Sequence, residues 1–274
     1  MHILRIICTK AFLLGTLALV RTPKIIHLGY TIRLTIGKEQ NVNTTSPPSK
    51  TSTSSLWTAR LASLVIIGGL FIGWNSIWIY PFQMLTVFFH ELSHAIAALL
   101  TGGEVLEFFL DPRQGGHVIH RGGNLIITAT AGYLGSLAWG VALFWAAHLS
   151  RFDKVINGLL ALIILVVPWL LKGQGFALVF CSIFGICLLL TSIKASHWVN
   201  DFLLRLIGLS CVLYVPGDIY SDTIARSGTV VSDATNIAEL LGGSTMMWGI
   251  IWLVISLVIL LIMFIQLWKS PGAN

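Results

Sequence analysis

Charged residues are scarce in this chain of 274 residues. They make up 10% of the sequence, whereas a soluble domain carries roughly 25%, and the mean hydropathy is +0.85. So few charges cannot cover the water-facing surface of a protein this size, which excludes a soluble globular domain. Because 55% of the residues are hydrophobic, we expect most of the chain to lie in a lipid bilayer.

Acidic residues are nearly absent from the first 60 positions. Basic flanks of a first apolar span favour the cytoplasmic side of a membrane or its equivalent, so we interpret this charge bias as a determinant of topology. The basic residues are not interleaved with aromatic ones, and we expect no nucleic-acid partner. The acidic residue among the first 60 is Glu39, and the basic residues are Arg5, Lys10, Arg21, Lys24, Arg33, Lys38, Lys50 and Arg60.

Cysteine is also rare, and its spacing excludes two kinds of site. The four cysteines lie in or beside apolar stretches, and no two of them have CxxC spacing. A disulfide framework or a cysteine zinc site is therefore not expected. We interpret Cys8, Cys181, Cys187 and Cys211 as small core or lipid-facing residues.

The first 58 residues differ in character from the rest. The apolar run Ala11–Val20 is too short to cross about 30 Å of hydrocarbon, and its basic flanks are typical of a targeting segment. Residues 38–58 are rich in Ser and Thr and contain Pro47-Pro48, as in a linker without a core. We therefore predict an N-terminal extension or targeting segment with a linker over 1–58, and a separate transmembrane domain over 59–274.

The second part of the chain is almost continuously apolar and is cut by short polar breaks. Its pattern predicts an all-α, polytopic transmembrane helical bundle of six to seven spans, with Trp and Tyr at span ends. We expect an integral, multi-pass protein of a bacterial inner membrane or an organellar membrane. The predicted spans are Leu61–Tyr80, Phe82–Leu100, Leu125–Leu149, Val155–Leu171, Gly175–Ile193, Val199–Val215 and Met246–Trp268.

One predicted span contains the run His90-Glu91-Leu-Ser-His94. Histidines four apart fall on one helix face, where both imidazoles can reach a single metal ion. Glu91, beside the first histidine, can stay off the metal and take a proton from a water that the metal activates. Ionisable residues inside a membrane span are costly and usually functional. The run therefore predicts a Zn²⁺ site with Glu91 as catalytic base.

A catalytic zinc usually takes a third protein ligand, and carboxylates far along the chain are the candidates. Asp218 and Asp222 are four apart, so a helix would put both on one face, and we favour one of them. Asp233 is the weaker candidate because Ser232-Asp233 is typical of a helix N-cap.

The remaining histidines are weaker candidates for metal ligands. His117 and His120 lie in a Gly-rich loop whose wider spacing could still bind a metal. His148 and His197 lie near span ends and are expected at the membrane interface.

Three further stretches accompany the HELSH run. They are Thr130-Ala-Gly-Tyr-Leu-Gly-Ser136, Asp218-Ile-Tyr-Ser-Asp222-Thr and Ser232-Asp233-Ala234. Together with HELSHAIAALLTGG they make residues 78–268 resemble the site-2 protease family of intramembrane zinc metalloproteases, in its compact B-type branch without a PDZ domain. The resemblance does not extend to the first 60 residues. The family's Asn-Pro and Asp-Gly pattern and its Gly-Pro-x-x-Asn hairpin are absent here.

The resemblance implies zinc held by His90, His94 and a distant aspartate, and hydrolysis of a peptide bond in or near a transmembrane helix. The partner would be a membrane-embedded protein substrate. The segment Gly102–Gly123, which alternates polar and apolar residues, is a candidate hairpin for an unwound substrate to pair with. Two alternatives stay open: a transporter or scaffold that uses HELSH as a structural metal or proton site, and an inactive relative that binds transmembrane helices.

Overall fold

The computed structural model describes residues 53–226 and 231–269, with side chains from residue 60 onward. The predicted targeting segment and most of the predicted linker lie outside the described residues. Helix α1 begins at Thr53, so the end of the predicted linker is helical.

In the described ranges the chain is an all-α bundle with one small hairpin, as the sequence predicts. The elements are α1 (Thr53–Ile72), α2 (Tyr80–Leu100), β1 (Glu104–Asp111), β2 (Gly115–Arg121), α3 (Leu125–Leu149), α4 (Asp153–Leu170), α5 (Phe176–Lys194), α6 (His197–Tyr220), a π-helical turn (Ser221–Ala225), α7 (Asp233–Leu241) and α8 (Thr245–Lys269).

Six of the described helices are long and apolar enough to cross a membrane, namely α2 to α6 and α8. The predicted first span, Leu61–Tyr80, is not a single helix. Helix α1 ends at Ile72, and hydrogen-bonded turns follow from Gly73 to Ile79. The first predicted span is therefore interrupted eight residues before its predicted end, and the other six correspond to α2 to α6 and α8.

Local sequence signals explain where the helices around the site begin and end. Pro81 lies in the first turn of α2, where its missing N–H costs nothing. The side chain of Asn124 caps α3 by accepting from the amide of Ile127 at 3.0 Å. Ser232 caps α7 through a capping box with Thr235. These caps define the ends of the segments that carry the functional side chains.

The two strands form an antiparallel hairpin that runs back along α2. Its base lies near the end of α2, where the amide of Gly103 donates to the carbonyl of Ala98 at 2.7 Å. Its tip lies near the start of α2, where the hydroxyl of Tyr80 donates to the carbonyl of Pro112 at 2.7 Å. On its outer side β1 meets Gly173. Within the described residues no strand pairs with the other edge of β2.

Helix α3 lies at the centre of the bundle and crosses α2 and α6 at glycines. A Cβ atom on Gly140 would lie 2.7 Å from the Cβ of Cys211, and one on Gly208 would lie 2.7 Å from the backbone nitrogen of Phe144. A Cβ on Gly135 would overlap Ser93. Small residues thus let the backbones approach closely, as packing of helices in a membrane requires.

Candidate metal centre

Two helices bring three metal-binding side chains together. His90 and His94 lie one turn apart on the same face of α2, and Asp233 is the first residue of α7. Oδ2 of Asp233 lies 3.1 Å from Nε2 of His90 and 3.2 Å from Nε2 of His94. The three ligand atoms lie within 4.8 Å of one another. Donor atoms around a tetrahedral zinc with bonds of about 2.0 Å are about 3.3 Å apart, so these separations fit such a site.

A hydrogen bond orients His94 toward this point. Its Nδ1 lies 2.7 Å from the carbonyl oxygen of Thr128 on α3. A carbonyl can only accept, so Nδ1 donates to Thr128, and Nε2 faces Asp233. Histidines that bind metals commonly have their other ring nitrogen held in this way.

Gly132 on α3 keeps the space between the three ligand atoms open. A Cβ atom at this position would lie 2.5 Å from both Oδ2 of Asp233 and Nε2 of His94, and closer still to Nε2 of His90. The absent side chain therefore leaves a cradle, bounded by two nitrogens and one oxygen, at about the distance of a metal bond. The residues present fit a zinc ion.

The environment of Asp233 favours its ionised form. Burial alone raises the pKa of this carboxyl, but the imidazoles of His94 and His90 against it outweigh burial and hold the pKa below its ordinary value. An ionised carboxylate is the form that binds a metal ion.

Glu91 lies beside this group and not within it. Its side chain is 4% exposed, and Oε2 has no hydrogen-bond partner among the described residues. On its other side is Gly116 of β2, where a Cβ atom would lie 2.8 Å from Oε1. A buried carboxylate oxygen without a partner is costly, and such an exception calls for a functional explanation.

The third member of the candidate group is Asp233, which the sequence made the weaker candidate for the third ligand. Asp218 and Asp222, the favoured candidates, lie at the end of α6 and in the π-helical turn, and neither belongs to the group that surrounds the open space. Asp222 is already engaged, because it accepts from the hydroxyl of Tyr133 at 3.0 Å and pairs with Arg226. Ser232 serves as the N-cap of α7, which leaves the side chain of Asp233 free to face His90 and His94.

The other histidines lie apart from the group. His117 and His120 are on β2 and face the same cavity, where Nδ1 of His120 lies 2.9 Å from the carbonyl oxygen of Gly122. His197 is exposed, as expected of an interfacial residue. His148 is 4% exposed and packs against Phe144 in the last turn of α3, so it is buried in the protein, and its interfacial position stays a prediction.

Tyr133 is a site residue that the sequence did not single out. It is 2% exposed, and its ring packs edge-to-face on His90 with centroids 4.8 Å apart. Its hydroxyl reaches Asp222, so it links the end of α6 to a candidate ligand. The small-residue stretch around Gly132 was the only available signal, and an aromatic residue in an apolar helix usually indicates core packing.

A cavity of about 1020 Å³ opens over the candidate metal centre. The free edge of β2 and one face of α7 form two of its walls. α2 carries His90 and Glu91 at its floor, and the start of α3 and the end of α6 complete the lining. This volume is in the range of sites that enclose a ligand, and it brings the open edge of β2 next to the three ligand atoms.

Comparison with known proteins gives one match. The profile of a family described as Peptidase M50B-like matches residues 63–263, a range that contains HELSH, the hairpin and Asp233. Neither curated proteins nor solved structures gave a match.

Proposed function

The chain belongs to the Peptidase M50B-like family, and from that premise we propose that it is an intramembrane zinc metalloprotease. Peptidases of the wider M50 family are in general zinc metalloproteases, and this chain is an integral, multi-pass membrane protein with six long apolar helices in its described part. We further propose that it hydrolyses peptide bonds in or near the transmembrane helices of membrane-embedded protein substrates. The observation that carries this proposal is the meeting of His90, His94 and Asp233 beside Glu91, whose buried Oε2 has no hydrogen-bond partner among the described residues.

In this proposal His90, His94 and Asp233 hold the zinc through two nitrogens and one oxygen. Three protein ligands with one open position are the set typical of catalytic zinc. When bound, zinc would polarise the scissile carbonyl and lower the pKa of the attacking water.

Glu91 supplies the proton transfers. Its Oε2 takes the proton of the attacking water, and the carboxyl group then gives that proton to the nitrogen of the leaving amine. Burial keeps bulk water from competing for the carboxylate, and the contact with Gly116 holds the side chain in place. A purely structural metal site would have no use for such a carboxylate, whose burial without a partner is unfavourable. The unpartnered oxygen therefore favours catalysis over a scaffold or transporter.

The free edge of β2 binds the substrate in this proposal. A transmembrane helix has all its backbone groups bonded internally, so it must unwind before its peptide bonds can be attacked. An unwound segment exposes N–H and C=O groups, which an open strand edge can satisfy by adding the segment as a further strand. β2 has such an edge in the cavity, and Gly116 of the same strand contacts Glu91.

Zinc analysis combined with a cleavage assay tests the proposal. The full chain, purified in detergent, is compared with Glu91→Gln for zinc per chain and for cleavage of single-span peptides in liposomes. The peptides carry Gly, Pro or Asn in their spans, because these residues ease unwinding. We expect one zinc per chain in both proteins and cleavage only by the wild type. A folded wild type that takes up no zinc would refute the proposal, and equal cleavage by the variant would refute the role of Glu91.

A further inference from the structure

A ring of contacts fixes the tip of the hairpin to the bundle, about two helical turns from the candidate metal centre. The hydroxyl of Tyr214 on α6 donates to Oε1 of Gln114 at 3.4 Å. Nε2 of Gln114 donates to Oε1 of Gln83 on α2 at 3.1 Å. Nε2 of Gln83 donates to the carbonyl oxygen of Trp74 at 3.1 Å. The indole of Trp74 then stacks on the phenol group of Tyr214 with centroids 6.0 Å apart, which closes the ring of contacts.

Each side-chain amide in this ring of contacts donates one hydrogen bond and accepts one, so all the hydrogen bonds run in the same direction. Gln83 is 4% exposed and Tyr214 is 8% exposed. Polar groups buried in this way cost free energy unless they are paired, and bonds in a connected network strengthen one another. The ring therefore binds the hairpin tip more firmly than a contact at a water-facing surface would.

Gln114 adopts a backbone conformation that favours glycine. Its φ is +65°, in the left-handed region that non-glycine residues seldom occupy. Glycine would fit this turn with less strain, so the glutamine has to be explained by its side chain. The side-chain amide is what both Gln83 and Tyr214 contact.

The position of the ring connects it to the reaction site. Gln83 precedes Glu91 by eight residues of α2, about 12 Å along the helix axis. Gln114 precedes Gly116, the residue that contacts Glu91, by two residues of the hairpin. A rigid helix and a short strand thus join the ring to the place where β2 passes the carboxylate. A shift of the hairpin tip would move the β2 edge relative to Glu91.

We propose that Gln83, Gln114 and Tyr214 are positioning residues that hold the free edge of β2 in register with Glu91, so that an extended substrate strand binds with its peptide bond at the metal. This inference rests on the proposed function for its substrate part. Its structural part, the attachment of the hairpin by the ring, stands by itself. Neither part requires these residues to touch the substrate.

Hydrogen exchange and kinetics on the zinc-loaded full chain test the proposal. The variants are Gln83→Leu, Tyr214→Phe and Gln114→Gly, the last of which removes the amide while suiting the backbone at φ +65°. Two matched controls change the same side-chain chemistry at exposed positions, Gln266→Leu on α8 and Tyr220→Phe on α6. The probe for cleavage is the single-span peptide that the wild type cleaves best.

In the three variants we expect faster exchange of amides at 104–121, unchanged zinc content, and KM raised about 5-fold, the factor for one net hydrogen bond. The value of kcat should change less, because a mobile edge weakens binding before it affects the chemical step. The controls should match the wild type.

Unchanged exchange in both Gln83→Leu and Gln114→Gly would overturn the attachment. Faster exchange with unaltered KM would overturn the positioning role. A wild type that cleaves nothing would refute the proposed function, while the exchange data would still decide the attachment.

Discussion

Gly116 on β2 lies directly against Glu91 on α2, so the hairpin and the carboxylate share one narrow space. A Cβ atom at position 116 would lie 2.8 Å from Oε1 and 2.9 Å from Cγ of Glu91. Contacts under 3.0 Å force something to move, and the same Cβ would also meet the carbonyl oxygen of Phe109 at 2.8 Å. The strand side of this contact is fixed backbone, so an added methyl group would displace the carboxylate or push β2 outward.

We therefore expect Gly116→Ala to lower kcat/KM by about 100-fold, the loss typical of a misplacement of about 1 Å in an active site. Zinc content should stay at the wild-type value, because Glu91 is not a ligand in the proposed site. The neighbouring change Gly115→Ala is the control, since its Cβ would meet only the Cβ of Asp111 at 3.7 Å, an ordinary contact. Peptide cleavage and elemental analysis measure both effects. Equal activity of the two variants would contradict the contact.

A substitution at Gly132 tests directly whether the metal ion lies between His90, His94 and Asp233. Gly132→Ala puts a methyl group at the point that is 2.5 Å from Oδ2 of Asp233 and from Nε2 of His94. We expect this variant to fold and to lose its zinc, because the methyl carbon occupies the space of the ion. Gly217→Ala is the matched change on α6, where a Cβ would meet nothing within 4 Å. Zinc per chain, measured beside thermal unfolding, should fall only in the first variant; retention of zinc there would put the metal elsewhere.

The aspartates can be separated by single substitutions. Asp233→Ala removes the only carboxylate within reach of both imidazoles in the described part of the chain, and we expect zinc to be lost. Asp222→Ala removes the acceptor of Tyr133 and the partner of Arg226, and Asp218→Ala changes the cavity wall. Both should keep one zinc per chain. Loss of zinc in either of these two, with retention in Asp233→Ala, would restore the order that the sequence favoured.

Much of the bundle and half of the site could be predicted from the sequence, and the division has a physical cause. The histidines of HELSH are four apart in a helix, so local geometry alone brings them together. The position of Asp233, the third member of the candidate group, depends on how α7 docks against α2 and α3, which no local spacing encodes. Asp218 and Asp222 have the spacing of a ligand pair, but the packing of α6 turns Asp222 toward Tyr133. Hydropathy likewise indicated a span up to Tyr80, but it does not register the turns that begin at Gly73.

The hydrogen bond between Tyr133 and Asp222 should couple the two residues energetically. A hydrogen bond to a charged group contributes about 1.5 to 3 kcal/mol, so Tyr133→Phe and Asp222→Ala, which each remove one partner of the bond, should each lower the free energy of unfolding by about 1.5 kcal/mol. The double variant should cost less than the sum of the two, because the second change has no bond left to break. Denaturation in detergent measures all four proteins. Additive costs would mean that the bond does not hold α6 against α3.

The crossing of α3 and α6 is the part of the fold on which the candidate site depends most. α3 carries Gly132, and α6 leads into the turn that carries Asp222, while their backbones meet at Gly140 and Gly208. A Cβ on Gly140 would meet the Cβ of Cys211 at 2.7 Å and the carbonyl oxygen of Gly208 at 2.9 Å.

We expect Gly140→Val to destabilise the protein by about 2 to 3 kcal/mol, the usual cost of overpacking, and to weaken zinc binding because α3 must move away from α6. Gly158→Ala on α4 is the control, as its Cβ would approach only the side chain of Ser192, at 3.4 Å. The free energy of unfolding and the zinc affinity should both fall in Gly140→Val, and neither should change in Gly158→Ala. If stability fell while zinc affinity stayed constant, the site would be held by α2 and α7 alone, and the crossing would serve the fold without setting the geometry of the ligands.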